Sequence, residues 1–462
     1  MEIIDVLHAK QKAIECFSVP EGNKDAVAEH AIAMLLSLFN NLNRADKEVR
    51  NFIWEREKNR GIELGAKTIA IIGAGIAGCC TAYHLAEWGY QVSIFDSHSQ
   101  PTQAASGINK AILFARTAKQ RSSLSDLHEA CYHYAKSFYA SLGAKELTHG
   151  LQGMLKLGAS LPEALSQNPE LSSRRQLNQQ QASSIAGASL RDGGLFYPDS
   201  GFLQPEKLSA ALLTHNNIQF YGSTTISQIQ HDGQQWQLDY QQTRAQNTSA
   251  HMDQIIICAG HLSHQFEVCN WLPIKPIRGQ TTQINATEKS LQLNITVCDK
   301  GYITPAQNDT HECGATFTLD YNSPALRCED QQKNLQQLVD AFSDDMQWNP
   351  SEQPLTGKVG FRATSPDYIP IAGPVSAVEM FNQQYSTLRK NAKCTPNEPA
   401  QLIKGLYVNA GYGSHGFTLA PLVSYILAAQ IHQSPLPIGD SLRTALAPNR
   451  FLLRALIKNK KL

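Results

Sequence analysis

The sequence predicts an α/β protein of the Rossmann type with a second, mostly antiparallel β domain and a helical N-terminal extension. Three stretches carry that expectation: "KTIAIIGAGIAGCC" at residues 67–80, "MDQIIICAG" at 252–260 and "GLYVNAGYGSHGFTLAPLVSYILAAQI" at 405–431. The first and third run from an aliphatic strand through several glycines into a helix. That pattern brings phosphate groups to a helix N-terminus, where unpaired N–H groups and the helix dipole favour negative charge.

In the first stretch Gly73 permits a tight turn, Gly75 lets the backbone approach a pyrophosphate, and Gly78 lets the helix pack close on the strand. A second strand, Tyr90 to Phe95, ends in Asp96, about 20 residues beyond the glycines, where a ribose-binding carboxylate belongs. Strand, glycines, helix, strand and terminal acid in that order predict a dinucleotide site. After Asp96 the chain leaves the alternation of strands and helices that a simple nicotinamide dehydrogenase keeps. In "SHSQPTQAASGINKAILFA", Ala105, Ser106 and Gly107 fit a loop against a second phosphate, with small side chains that leave room for a larger cofactor. The buried-type strand at 252–260 ends in Ala259 and Gly260, and the late loop carries Gly411, Gly413 and Gly416. A flavin ring needs a backbone donor near its N1–C2=O end, where negative charge develops on reduction. The loop of Ser414, His415 and Gly416, at the start of a helix, meets that need, and the balance tilts to a flavin. The segments "QQWQLDYQQ" and "TTQINATEKSLQLNITV" alternate polar and apolar residues, as half-exposed strands do. The expected organisation is a helical segment at 1–66, a discontinuous FAD-binding domain from 67–150, 203–265 and 357–435, a substrate domain from 151–202 and 266–356, and a C-terminal tail at 436–462.

The 462 residues include 40 basic and 40 acidic side chains, so bulk charge argues neither for nor against a nucleic-acid partner. Locally the tail is basic: Arg443, Arg450, Arg454, Lys458, Lys460 and Lys461 occur between Ser441 and Leu462 without an acidic residue. Such a stretch suits phosphate contact, and equally suits an ordinary solvated helix end. The ten cysteines form no C-x-x-C and the 15 histidines no H-E-x-x-H, so neither a disulfide framework nor a metal is expected. No run approaches the roughly 18 apolar residues of a membrane span and no leader pattern follows Met1. The expectation is a soluble, cytoplasmic chain with no membrane partner.

Further stretches carry a resemblance: "AASGINKAILFA", "LHEACYHYAKSFYASLGA", "GLFYPDSGFLQPEKLSAAL", "IRGQTTQI", "CDKGYITPAQNDTHECGATF", "GFRATSPDYIPIAGP" and the closing "LAPNRFLLRALIKNKK". With the three glycine-bearing segments, these resemble the amino-acid oxidase and glycine oxidase family of flavoproteins. More narrowly, they are similar to the FAD-dependent oxidoreductase domain of the bifunctional tRNA 5-methylaminomethyl-2-thiouridine biosynthesis proteins. The resemblance spans about residues 67–462 and implies FAD as cofactor and tRNA as partner. The implied reaction is oxidation of the carboxymethylaminomethyl group of a wobble uridine, releasing glyoxylate and leaving an aminomethyl group. It places Arg362, in "VGFRATSP", where the substrate carboxylate is held, since a planar guanidinium matches two carboxylate oxygens and stays charged when buried. Arg278 is a second candidate for that role. Tyr302, in "GYITP", lies on a strand that by the same analogy lines the substrate side of the flavin, where simple packing is the other reading. Gly279 and Gln280 match the family in the strand near the cofactor. His415 either tunes the ring or caps a turn, and is not expected to act as a base.

Residues 1–66 depart from that family. "PEGNKDAVAEHAIAMLLSLFNNLNRADKEVRNFIWEREKNRGIELGAKT" resembles the segment before the nucleotide motif of D-2-hydroxyacid dehydrogenases of the 3-phosphoglycerate dehydrogenase type, so the chain reads as a fusion. The methyltransferase that precedes the flavin domain in the bifunctional proteins is not recognised, and methylation is not assigned. Ile32, Leu35, Leu36, Phe39 and Leu42 recur at helical spacing, and two readings stand: a helix that dimerises the protein through residues 25–55 or docks a partner, and a passenger segment. For the whole chain, a small-amine oxidase of the glycine or sarcosine type and a non-catalytic fusion protein stand beside the tRNA enzyme. A hydroxyacid dehydrogenase is suggested by the N-terminal segment alone.

Overall fold

The computed structural model describes residues 11–15, 24–55, 59, 67–116, 122–143, 145–161, 173–242, 248–343, 346–348, 355–394 and 398–460. The chain divides into two units, residues 1–66 and 67–462. The first contains α1 (Lys24–Phe39) and α2 (Leu42–Arg50). No residue of α1 is buried, and Ile32, Leu35 and Leu36 are exposed. α2 is laced by Arg44–Glu48 and Asp46–Arg50 pairs one turn apart.

The second unit opens with β1 (Thr68–Ile72), α3 (Ile76–Glu87) and β2 (Gln91–Phe95). β1 pairs in parallel with β2 on one side and with β12 (Gln254–Ile257) on the other. β8 (Ile218–Tyr221) and β19 (Leu402–Ala410) extend this sheet in parallel, and β18 (Ile371–Ser376) closes it antiparallel, in the order β18-β19-β12-β1-β2-β8. Both faces are covered, which is why "TIAII" and "QIII" are nearly continuous aliphatic runs. Ile69 and Ile71 pack toward α3, α4 (Ser123–Ser141) and α10 (Gly416–His432). Ala70 and Ile72 face the other way, in one cluster with Trp236 and Leu238 of a three-stranded antiparallel sheet, β9 (Thr224–His231), β10 (Trp236–Gln242) and β11 (Thr248–Met252).

α10 carries Pro421 inside its span. Proline has no N–H, so the Phe417 carbonyl one turn back loses its helical donor. The Tyr139 hydroxyl of α4 donates to that carbonyl instead, at 2.7 Å. Asn409 Nδ2 on β19 donates to Thr81 Oγ1 of α3 at 2.9 Å and Ser424 Oγ of α10 at 3.0 Å, tying sheet and helices together. Capping boxes start α4 at Ser122 and Ser125, and α6 (Gln179–Ala186) at Asn178 and Gln181. Shorter helices α5 (Lys145–Thr148), α7 (Pro205–Leu212) and α9 (Val378–Gln384) fill connections.

An eight-stranded sheet forms the other layer, in the order β17 (Val359–Thr364), β13 (Lys275–Asn285), β16 (Thr310–Gly314), β15 (Tyr302–Ile303), β14 (Thr296–Cys298), β4 (Met154–Leu157), β6 (Gly194–Tyr197) and β5 (Arg175–Leu177). Its pairings are antiparallel except β14 with β4. α8 (Cys328–Ala341) packs on it, and β3 (Ala111–Leu113) pairs with β7 (Gly201–Leu203) as a separate ribbon.

Two assignments differ from the sequence expectation. β17, expected within the FAD-binding segment 357–435, hydrogen-bonds to β13 and so belongs to the antiparallel sheet. "QQWQLDYQQ", expected as a half-exposed strand, contains β10 of the three-stranded sheet, paired with β9 and β11. Residues 436–460 form α11 (Asp440–Leu446) and α12 (Arg450–Ile457), not a free tail, because Leu452 and Leu456 are buried against Phe381 and Leu388. Lys461 and Leu462 lie outside the described residues.

Candidate active site

A cleft of about 550 Å³ opens at the C-terminal ends of β1, β12 and β19 and reaches across to β13, β15 and β17. Of the sequence-predicted cofactor residues, Gly73, Gly75, Asp96, Ala105, Ser106, Ala259, Gly260, Gly411, Ser414, His415 and Gly416 line it, as does Gly413. Gly78 and Gly107 stand behind the wall. A Cβ on Gly78 would lie 1.9 Å from the Gly73 carbonyl oxygen, so its role is close packing of α3 on the turn.

At the β1 end, Gly73 has φ +106° and donates its N–H to the Phe95 carbonyl at 2.7 Å. Asp96 Oδ2 accepts from the Ala74 N–H at 2.7 Å and Oδ1 from the His98 N–H at 2.8 Å. The carboxylate therefore clamps the glycine turn while lining the cleft. Ser106 Oγ accepts from the Ile76 N–H at 3.1 Å, which sets that hydroxyl at the first turn of α3, where a phosphate is favoured. Thr224, Thr225 and Ile226 of β9 complete this wall. Nothing in their local sequence distinguishes them; only the fold of β9 beside β2 reveals them.

Further along, Thr418 and Leu419 donate to the His415 carbonyl, and the N–H groups of Gly416 and Phe417, at the first turn of α10, have no backbone partner among the described residues. The His415 ring meets His128 edge-on at 4.7 Å and Phe114 at 5.6 Å. Burial lowers the His415 pKa to about 3, reinforced by His128, Arg116 and Arg362, so its imidazole is neutral at neutral pH. His128, on α4, is driven to about 4 by burial first and Arg116 second.

Opposite lies Arg362. Its Nη1 donates to the Thr316 carbonyl at 3.0 Å, and its guanidinium lies over Gly279, where an added Cβ would sit 2.5 Å from Cζ, Nη1 and Nη2. Among the described residues no carboxylate pairs with Arg362. Burial pulls its pKa below the usual guanidinium range, and Tyr302 pulls the other way. The Tyr302 phenol is held well above its usual pKa by burial and then by Glu312. Its hydroxyl donates to Glu312 Oε1 at 3.4 Å. Glu312 is buried, and desolvation raises its pKa to about 7 against the attraction of Lys110. Lys110 Nζ donates to the Pro305 carbonyl at 2.8 Å, and burial lowers its pKa to about 8. Sequence reasoning missed Glu312; the available signal was a charged residue inside the short strand "THECG".

Arg278 does not enter the site. It is fully buried, pairs with Asp330 of α8, and donates to the Ser323 and Ala325 carbonyls and to Gln280 Oε1. Register is the cause: Arg362 stands opposite Ile277, so Arg278, one residue on, points to the other face. The tail arginines are also engaged. Arg450 Nε and Nη2 donate to Asp367 at 3.0 and 3.1 Å, and Arg454 reaches the same carboxylate.

A nucleotide-turn helix and a second glycine-initiated helix facing one cleft, with a half-buried arginine across from them, define a dinucleotide-dependent enzyme of the two-layer kind. Residues 68–430 match the family model described as FAD dependent oxidoreductase, and the chain belongs to that family. Its cofactor is FAD, and the site fits one: Gly73 and Gly75 at the first turn of α3 and the open N-terminus of α10 suit the pyrophosphate and ring ends. The chain is 34% identical over 414 residues to the tRNA 5-methylaminomethyl-2-thiouridine biosynthesis bifunctional protein MnmC of Pseudomonas entomophila, covering 86% of this chain and 61% of that protein. The protein of the same name from Pseudomonas syringae is 35% identical over 410 residues, with 86% and 60% covered. The chain thus spans about three fifths of the length of these relatives. Among solved structures, glycine oxidase from Geobacillus kaustophilus superimposes with a TM-score of 0.63 at 19% identity, over 83% of this chain and 99% of that one. Iminodiacetate oxidase from Chelativorans gives 0.59 at 22%, over 80% and 97%. Among the described residues no helix is long and apolar enough to cross a membrane.

Proposed function

We propose that this chain oxidises the carboxymethylaminomethyl group of a wobble uridine in tRNA, releasing glyoxylate and leaving an aminomethyl group. The observation that carries the reading is Arg362: a guanidinium on the cleft wall, seated on Gly279 and without a carboxylate partner among the described residues, in a chain whose relatives are named for this tRNA modification. Gly73, Gly75, Asp96, Ala105, Ser106, Ala259, Gly260, Gly411, Ser414, His415 and Gly416 form the cofactor site, with Gly78 and Gly107 shaping it from behind the wall, and Arg362 and Tyr302 form the substrate site. Bound FAD would supply the acceptor for a hydride, two electrons with one proton, leaving the carbon between the carboxylate and the amine, while the amine gives up its own proton to solvent. The chain's own part is placement. Arg362 holds the carboxylate by a forked pair of hydrogen bonds, and Tyr302 bounds the reacting carbon. Fixing that geometry supplies orientation entropy in advance. The substrate, now a C=N unit, takes up water and parts into glyoxylate and the primary amine.

tRNA approach is supported by Lys458 and Lys460, the exposed basic residues remaining at the end of α12 once Arg450 and Arg454 are committed to Asp367. The exposed apolar residues of α1 support a dimerising helix within 25–55, which the molar mass in solution with and without that segment checks. The setting is the cytoplasm, where tRNA is modified. The test of the reaction is anaerobic mixing of the purified yellow protein with tRNA bearing the carboxymethylaminomethyl group. Bleaching of the flavin absorbance by that tRNA, and not by free glycine, is expected. Bleaching by glycine or sarcosine alone would make it a small-amine oxidase, and a colourless protein would overturn both readings.

A further inference from the structure

The segment after β16 alternates sharply. Thr316 is buried and Thr318 bridges to Arg278, while Phe317 and Leu319 turn outward, 54% and 59% exposed. Two large apolar side chains are thus displayed next to a polar, charged site. The Phe317 ring centre lies 6.0 Å from Arg362 Cζ, and Ala315 and Arg362 themselves line the cleft. The displayed surface is therefore continuous with the seat of the substrate carboxylate.

We infer that Phe317 is the platform on which the uracil ring of the substrate stacks, with Leu319 extending it toward the neighbouring base. The inference rests on the tRNA reading above. Its geometric basis is reach. Four bonds separate the carboxylate carbon of a carboxymethylaminomethyl group from C5 of the uracil, a span of about 5 Å when extended. A carboxylate held in a forked pair stands about 4 Å from Arg362 Cζ, so the base can reach to about 9 Å from that atom, and the Phe317 ring at 6.0 Å lies within this reach. The chemistry agrees: bases of single-stranded RNA loops are taken up unstacked and laid on exposed aromatic faces. A free amino acid has nothing to place on this surface, so Phe317 separates a nucleoside-linked glycine from a free one.

The test uses the full flavin-loaded protein and three probes: modified tRNA, the free carboxymethylaminomethyl-uridine nucleoside, and sarcosine as a competitor. Phe317→Ala is expected to raise KM for tRNA and nucleoside alike by about 5- to 150-fold, the range of base–aromatic stacking, with kcat and the inhibition constant of sarcosine unchanged. Phe317→Tyr should restore KM, and tRNA binding measured directly should weaken with Phe317→Ala. A rise in the sarcosine constant equal to that for tRNA would show that the ring acts only through Arg362 and would overturn the inference. Unchanged KM for the nucleoside would do so too, while leaving the tRNA reaction standing. A wild-type protein inert toward tRNA and nucleoside would remove the tRNA reading and this inference with it.

Discussion

The Arg362 guanidinium lies directly on Gly279, so closely that a methyl group there would stand 2.5 Å from three of its atoms. Gly279 is two residues from Ile277, the strand partner of Arg362, and shares its face of the sheet. The glycine is thus a seat for the arginine and need not touch the cofactor.

Gly279→Ala should therefore mimic Arg362→Ala. Each is expected to lower kcat/KM for modified tRNA by roughly 10²- to 10³-fold, the consequence of losing a buried charge-paired contact of ~3–4 kcal/mol. The flavin spectrum should stay intact in both. A Gly279→Ala protein with normal kinetics would show that the guanidinium has another resting place.

Glu312 titrates in the folded protein at about 7, above its usual 4.5. Between those values the native state holds the extra proton, so stability falls as pH rises from about 4.5 to 7. Glu312→Gln removes that slope. Compared by urea unfolding at pH 5 and pH 7.5, the variant should gain on wild type by about 1–3 kcal/mol at the higher pH. A constant difference would show that the carboxylate is ionised throughout.

His128 carries the opposite sign. Its pKa of about 4 lies below the ordinary 6.5, so the unfolded chain takes the proton first and stability falls as pH drops from about 6.5 to 4. Its Nδ1 has no hydrogen-bond partner among the described residues. His128→Leu should therefore flatten the acid limb, gaining on wild type at pH 5 relative to pH 7.5 in the same unfolding experiment.

Asp367 joins β17's exit to α12. Burial works to raise its pKa, and the hydrogen bonds and charges of Arg450 and Arg454 overcome that and hold it near 2. Its contribution is complete above the usual 3.8 and is lost as pH falls toward 2. Asp367→Asn should destabilise the protein by about 2–4 kcal/mol at pH 7, since Arg450 remains buried without its anion. The loss should shrink at pH 3, and a calorimetric melting series checks both.

The nucleotide end of the site was legible because its determinants are contiguous. Gly73, Gly75, Gly78 and Asp96 lie on one strand–turn–helix–strand unit, and their spacing alone implies the turn. Ser106 was placed near a phosphate from its small neighbours, and its hydroxyl is found at the first turn of α3. The resemblance favoured Arg362 and left Arg278 as a second candidate, since both are arginines in apolar strands. The strand register divides them, sending one to the cleft and the other to Asp330. The pairing of Arg450 and Arg454 was hidden for a similar reason: the basic tail reads as free charge until Asp367, more than 80 positions earlier, is brought beside those two arginines.

By itself, then, the sequence determined the class of fold, the FAD cofactor and the local turn that receives it, because periodicity and glycine spacing act over a few residues. Only the tertiary structure decided which arginine lines the cleft, that Glu312 and Lys110 are buried behind Tyr302, and that Phe317 stands exposed beside Arg362. Those relations depend on which strand pairs with which and on the two-residue alternation of side chains across a sheet. Both are set by packing among segments far apart in the chain.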